Sequence, residues 1–180
     1  MTARHHAGPR LGALAAVALL VTAMVTALTG TTAHAAAARR APAAGTVSNS
    51  CTIQPFGNEF DYTAKVKVTG KKTKKTKAAL TAKLGAMPGV SPVAVNAELS
   101  ATMKVTVGGR SATLKGKRTV DVGANEPVPM PKLKGTAKVA KSAKKLPVVV
   151  KSISFEIATF GVTGDCAPTD GATLSKLKLG

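Results

Sequence analysis

Beyond position 35 this chain has no histidine, and it has no tryptophan anywhere. His5, His6 and His34 are confined to the first 35 residues; Tyr62 is the one tyrosine, and Cys51 and Cys166 are the two cysteines. Without histidine in the body of the chain there is no Ser-His-Asp or Cys-His pair, and the commonest general base is missing. Acids are scarce as well, eight against 26 lysines and arginines. The carboxylate pairs that a glycosidase-like mechanism would need reduce to Glu59 with Asp61 and Asp165 with Asp170, both placed where solvent-facing acids are expected among lysines. A calcium ion at Asp165 and Asp170 would want about 6 to 8 oxygens, and no spaced acidic loop supplies them. These absences predict a non-enzymatic protein with no cofactor and no metal site. A carboxylate-based hydrolase is the remaining catalytic alternative.

What is present begins with an export pattern. Arg4 and Arg10 precede an apolar run, Leu11 to Thr29, and Ala33-His34-Ala35 supplies a small-x-small exit. Basic start, apolar middle and small-residue exit are the parts of a secretory signal, so residues 1–35 are expected to be removed. The rival is a retained anchor, since the run approaches the roughly 20 residues of a spanning helix. Cleavage leaves no transmembrane span, and either outcome places the remainder outside the cytoplasm, secreted or held at the cell envelope. Two cysteines in an exported chain most simply form one disulfide, Cys51 with Cys166. A metal-binding pair of thiolates would lack the other ligands of a tetrahedral site.

Residues 36–49, rich in alanine and without periodicity, read as a flexible leader, and 50–180 as one domain. Within it the pattern has period two. Phe60, Tyr62, Ala64, Val66 and Val68 alternate with polar residues, and so do the odd positions from Val93 to Val107. That second run is longer than a usual strand, which predicts a bend or break within it. Gly108-Gly109 then suits a two-residue turn. Pairing back from it sets Met103 opposite Leu114 and Val95 opposite Val122 on one dry face. It also sets Leu99 opposite Arg118, which demands a bulge near Gly116 or a side chain that reaches out to solvent. Further strands are expected over 133–140 and 148–160, with an edge strand at Leu177 and Leu179. Six or seven strands without a helical period predict an all-β fold, an antiparallel β-sandwich, immunoglobulin-like or similar.

Cys51-x-Ile53-x-Pro55-Phe56-Gly57, the long alternating strands and Gly164-Asp165-Cys166-x-Pro168 resemble a family of exported actinobacterial β-sandwich domains of unknown function. The resemblance covers about 50–180 and implies no functional residues, because the family has no established activity.

The surface signal is charge. Removing Arg4 and Arg10 with the signal lowers the net charge from +18 to +16. The lysines fall in acid-free stretches, with Lys71, Lys72, Lys74, Lys75 and Lys77 expected on a loop and Lys138, Lys141, Lys144 and Lys145 further on. Taken singly, each stretch reads as a solvated tip guarding a sheet edge. Together they predict attraction to polyanions. Sequence-specific nucleic-acid binding is not expected, because lysine outnumbers arginine and stacking aromatics are few. Phe56, Phe60, Tyr62, Phe155 and Phe160 are the only rings, and most look core-facing. Anionic envelope polymers or lipid headgroups suit lysine point charges better. The alternative is a structural or protein-interaction module that binds another exported protein and carries its charge for solubility.

Overall fold

The computed structural model describes residues 40–179; the expected signal, 1–35, and the first residues of the expected leader lie outside them. Nine strands follow in order: β1 (Ala43–Gln54), β2 (Asn58–Lys74), β3 (Lys77–Leu84), β4 (Val95–Val107), β5 (Arg110–Val122), β6 (Leu133–Lys138), β7 (Lys145–Ile157), β8 (Val162–Asp170) and β9 (Thr173–Lys178). A single 3-10 turn, Ala158–Phe160, joins β7 to β8. The period-two pattern is the cause: nearly every strand alternates buried apolar with exposed polar residues.

The hydrogen-bonded order is β4-β5-β6-β3-β2-β1-β8-β7-β9, and β4 pairs with β7 as well. The antiparallel sheet therefore closes on itself. A circuit of directly opposed residues runs from Gly70 through Leu80, Gly135, Leu114, Met103, Ile153, Cys166 and Cys51 to Phe60. It starts and finishes on β2, ten residues apart, which is the stagger that tilted strands need to close a barrel. β8 and β9 occupy one wall position in succession, since β7 pairs with β8 over 153–157 and with β9 over 145–149.

This corrects the expected sandwich of six or seven strands to one nine-stranded sheet curled into a barrel. Alternation gives each strand a dry face, but it does not say whether dry faces stack as two layers or wrap around one interior. The two strands that were not foreseen, β1 and β8, carry the cysteines. Their inward positions are Gly45, Val47, Asn49, Cys51 and Ile53, then Gly164, Cys166 and Pro168; small and polar residues hide the period. The leader is corrected in the same way: β1 begins at Ala43, so residues 43–49 belong to the barrel, with Ala43, Val47 and Asn49 buried.

The β4–β5 hairpin has the expected register, with Met103 opposite Leu114 and Val95 opposite Val122. Gly108 and Gly109 turn it at φ 57 and 80°, values that glycine adopts without steric cost. The ladder has no bulge at Gly116, so Arg118 keeps its place opposite Leu99 and is exposed to solvent. β4 is unbroken, and its irregularity is confined to the β7 side, between Lys104 and Val105.

Cys51 and Cys166 are bonded, as directly opposed residues of β1 and β8 with Cα atoms 4.0 Å apart. The bond closes a loop of 115 residues, worth about 4 to 5 kcal/mol in the chain-entropy model. The interior is filled rather than hollow: Tyr62, Leu80, Leu99, Met103, Leu114, Leu133, Ile153 and Leu177 are the largest of its fully buried side chains. A Cβ on Gly70 would run into the side chains of Leu177, Leu179 and Leu80, so a glycine there makes room for β9 at the barrel end.

Candidate functional site

Strand direction divides the charges. At one end lie the β2–β3, β4–β5 and β6–β7 connections, together with the start of β1 and the finish of β9. All nine lysines singled out by sequence gather there. Lys71, Lys72 and Lys74 are in the last part of β2, Lys75 in the turn, Lys77 at the start of β3, Lys138 at the finish of β6, Lys141 and Lys144 in the next connection, and Lys145 at the start of β7. The expected loop over 71–77 is corrected, since β2 runs on to Lys74, opposite Lys77, because lysines facing out of a pleated strand stay hydrated. Lys72 is the exception among them: it is half-buried, and its Nζ donates to the Lys141 carbonyl at 2.8 Å, tying the β2 tip to the β6–β7 connection.

The acids are elsewhere. Glu59 and Asp61 open β2, Glu98 is near the start of β4, Asp121 is at the finish of β5 with Glu126 just beyond it, and Glu156 and Asp165 flank the β7–β8 connection. Asp170, at the β8–β9 corner, is the acid nearest the basic end, and its carboxylate accepts from the Gly171 amide. Of the four acids raised as catalytic or calcium-binding candidates, Glu59 and Asp61 are exposed on the outside of β2. Asp165 lies opposite Thr52 and Ser154, and Asp170 opposite Ser48. Among the described residues no three His, Cys, Asp or Glu side chains come together.

The basic surface continues down one flank. Five pairs of lysines stand directly opposite one another: Lys67 and Lys83, Lys74 and Lys77, Lys77 and Lys138, Lys115 and Lys134, Lys145 and Lys178. Like charges in such positions destabilise a sheet. The one ion pair among the described residues is Lys117 Nζ to Glu98 Oε1, 2.8 Å, with both side chains more than half exposed. That hydrogen bond raises the Lys117 pKa. Lys83 and Lys178 were missed by sequence reasoning. Lys83 stands alone between Ala82 and Leu84 and Lys178 alternates with Lys176 in β9, and only register shows what each faces.

A recess of about 620 Å³ opens at the basic end between β5 and β6, lined by Lys77, Arg110, Ser111, Thr136, Ala137 and Lys138. Its origin is a parting of the wall. β5 and β6 share only two opposed pairs, Leu114 with Gly135 and Lys115 with Lys134, after which β5 follows β4 alone and β6 follows β3 alone.

The far end differs. Phe56 in the β1–β2 turn is 67% exposed and Phe160 in the 3-10 turn 51%, whereas the other three rings face the core, as expected of most of them. Those turns are neighbours, because Gln54 of β1 stands opposite Thr163 of β8. Tyr62 and Phe155 are buried, and Phe60 packs on Phe155 at 6.5 Å between ring centres. The Tyr62 hydroxyl donates to the Gly85 carbonyl at 2.6 Å, and burial pushes its pKa up, so the phenol stays neutral.

Among the described residues no helix is long and apolar enough to cross a membrane. The wall itself is apolar inside and polar outside, whereas a membrane-spanning barrel needs an outward apolar band. No protein-family model, curated protein or solved structure matches this chain.

Proposed function

We propose that the barrel is an exported, non-enzymatic module that holds to anionic polymers or lipid headgroups of the cell envelope through its lysine end and flank. The observation that carries this reading is the set of five opposed lysine pairs against one ion pair. A surface serving only the fold would set acids within reach of those lysines, as Glu98 is diagonally within reach of Lys117. Lysines facing lysines keep a standing repulsion that an anionic partner relieves. The export pattern, the disulfide and the resemblance to exported actinobacterial domains support the same compartment.

The test replaces Lys71, Lys74, Lys75, Lys144 and Lys145 with glutamine, sparing Lys72 because it ties two connections together. Near an anionic surface each lysine is worth about 1 kcal/mol, so retention on isolated cell walls at low salt should fall by roughly tenfold or more. Wild-type retention should drop steeply as salt rises, since the contacts displace counterions. Retention that ignores both salt and the substitutions overturns this reading.

A second reading is favoured by one observation, the adjacent exposure of Phe56 and Phe160 at the end away from the lysines. Exposed rings on neighbouring turns suit a protein contact, so in this reading the module binds another exported protein and its lysines serve solubility. Salt-insensitive retention that is lost in Phe56→Ser with Phe160→Ser supports it.

A further inference from the structure

We propose that the parting between β5 and β6 is a discrete oxyanion site that takes the phosphate of a phosphodiester, and so gives the lysine surface its specificity. The proposal rests on the polyanion reading and narrows it to one place and one chemistry. The recess has a cationic group on each bank and a third beside it: Arg110 on β5, Lys138 on β6 and Lys77 opposite Lys138 on β3. Two hydroxyls, Ser111 and Thr136, line it from opposite banks, and no carboxylate does.

The backbone adds donors. The two strands are bonded to each other at Leu114–Gly135 and Lys115–Lys134; from Leu114 toward Arg110 and from Gly135 toward Lys138, each presents an edge without a ladder partner on that side. Open edges of a sheet expose N–H groups along a line, and here two such edges flank the same recess. The strands approach closely at and beyond the held seam, on the side away from the recess: a Cβ on Gly135 would strike the Thr113 carbonyl and one on Gly116 the Lys132 carbonyl.

The donor set selects the ligand. A carboxylate presents two oxygens to one side, which a single lysine or arginine fork satisfies. A phosphodiester presents its charge on two free oxygens with two ester oxygens behind them, so donors converging from both banks can all be used. Arg110 supplies a planar fork and the lysines point charges. On the lysine flank lower down, Lys67, Lys83, Lys115 and Lys134 are exposed on the outside of their strands, so charge attracts there without fixing a position.

The test uses the folded, oxidised chain and two probes followed by backbone amide NMR: glycerophosphoglycerol as a soluble phosphodiester, and vesicles of phosphatidylglycerol in phosphatidylcholine. The expected result is saturable shifts centred on Ser111, Thr113, Thr136 and Lys138. Arg110→Gln with Lys138→Gln should weaken glycerophosphoglycerol binding about tenfold or more, while Lys71→Gln with Lys74→Gln changes it by about twofold at most. Arg110→Lys should recover part of the loss, which separates a fork from mere charge. Shifts with both probes mark the headgroup as a usable source, and shifts with the soluble diester alone mark free phosphodiesters. Shifts spread evenly over the lysine-bearing strands, or equal losses in the two double variants, overturn the site. In that case salt-sensitive wall retention would still stand, whereas salt-insensitive retention with localised shifts would remove the polyanion reading and leave the oxyanion site.

Discussion

The two halves of the barrel wall share an interior and differ outside. β2, β3, β6 and β5 present Lys65, Lys67, Lys71, Lys83, Lys134, Lys115 and Lys117 outward, whereas β1, β8, β7 and β4 present mainly serine and threonine, among them Ser48, Ser50, Thr52, Thr163, Ser154, Ser100 and Thr102. Inside, both halves are valine, leucine, alanine and methionine. The hydroxyl half carries the disulfide and the barrel closure through β4 and β7. The lysine half carries the shortest ladder, between β5 and β6. Covalent reinforcement and surface charge thus fall on opposite sides, which is the arrangement expected where one side holds the fold and the other meets a partner.

The largest expected effect breaks the reinforced half. Cys51→Ala with Cys166→Ala should lower stability by about 4 to 5 kcal/mol, on the chain-entropy argument for so long a loop, read from the midpoint of guanidinium unfolding. Amide exchange should quicken first along β1 and β8. A loss below about 1 kcal/mol would mean that the hydroxyl half needs no staple, and the contrast between halves would then rest on charge alone.

Next comes the shared interior. Leu80→Ala in the lysine half and Met103→Ala in the hydroxyl half each remove a fully buried side chain, and each should cost about 2 to 5 kcal/mol. Similar costs by thermal unfolding would show one continuous core beneath two different exteriors. A much smaller cost for Leu80→Ala would show that the lysine half is loosely packed, and the barrel would be better described as a rigid half with an attached flank.

How much of this was legible in the sequence follows from side-chain size. The β4–β5 hairpin could be read to the residue because Val95, Ala97, Leu99, Met103, Val105 and Val107 alternate cleanly against Ala112, Leu114, Val120 and Val122. β1 and β8 could not, because Gly45, Asn49, Gly164 and Pro168 interrupt their inward positions and break the hydropathic period. Barrel closure was illegible for a different reason: it depends on β4 finding β7 some fifty residues later, and local alternation holds no information on partner choice. The lysine clusters were legible as composition, but their opposition was not. Lys67 and Lys83 are sixteen residues apart and face each other only because β2 and β3 adopt one particular register. The β5–β6 recess left no trace in the sequence, since it arises where a ladder stops.

The smallest expected effect sharpens the comparison most. Lys67 and Lys83 are both exposed and directly opposed, so Lys67→Glu converts a repulsive cross-strand pair into an attractive one. Cross-strand and exposed ion pairs are worth about 0.2 to 1 kcal/mol, and the variant should gain roughly that amount at low salt and lose the gain as salt rises. The same substitution removes a cation and adds an anion on the lysine flank, so retention on isolated cell walls should weaken. Stability and retention would then move in opposite directions. Ser100→Glu on the hydroxyl half, opposite Lys117 and Glu156, should leave retention nearly unchanged. If Lys67→Glu instead destabilises the barrel, the opposed lysines have a local structural reason to be there, and the argument from uncompensated repulsion fails. If it stabilises the barrel and leaves retention intact, the lysine flank is not where the protein holds its partner, and the contact must lie at the recess or at the Phe56 and Phe160 end.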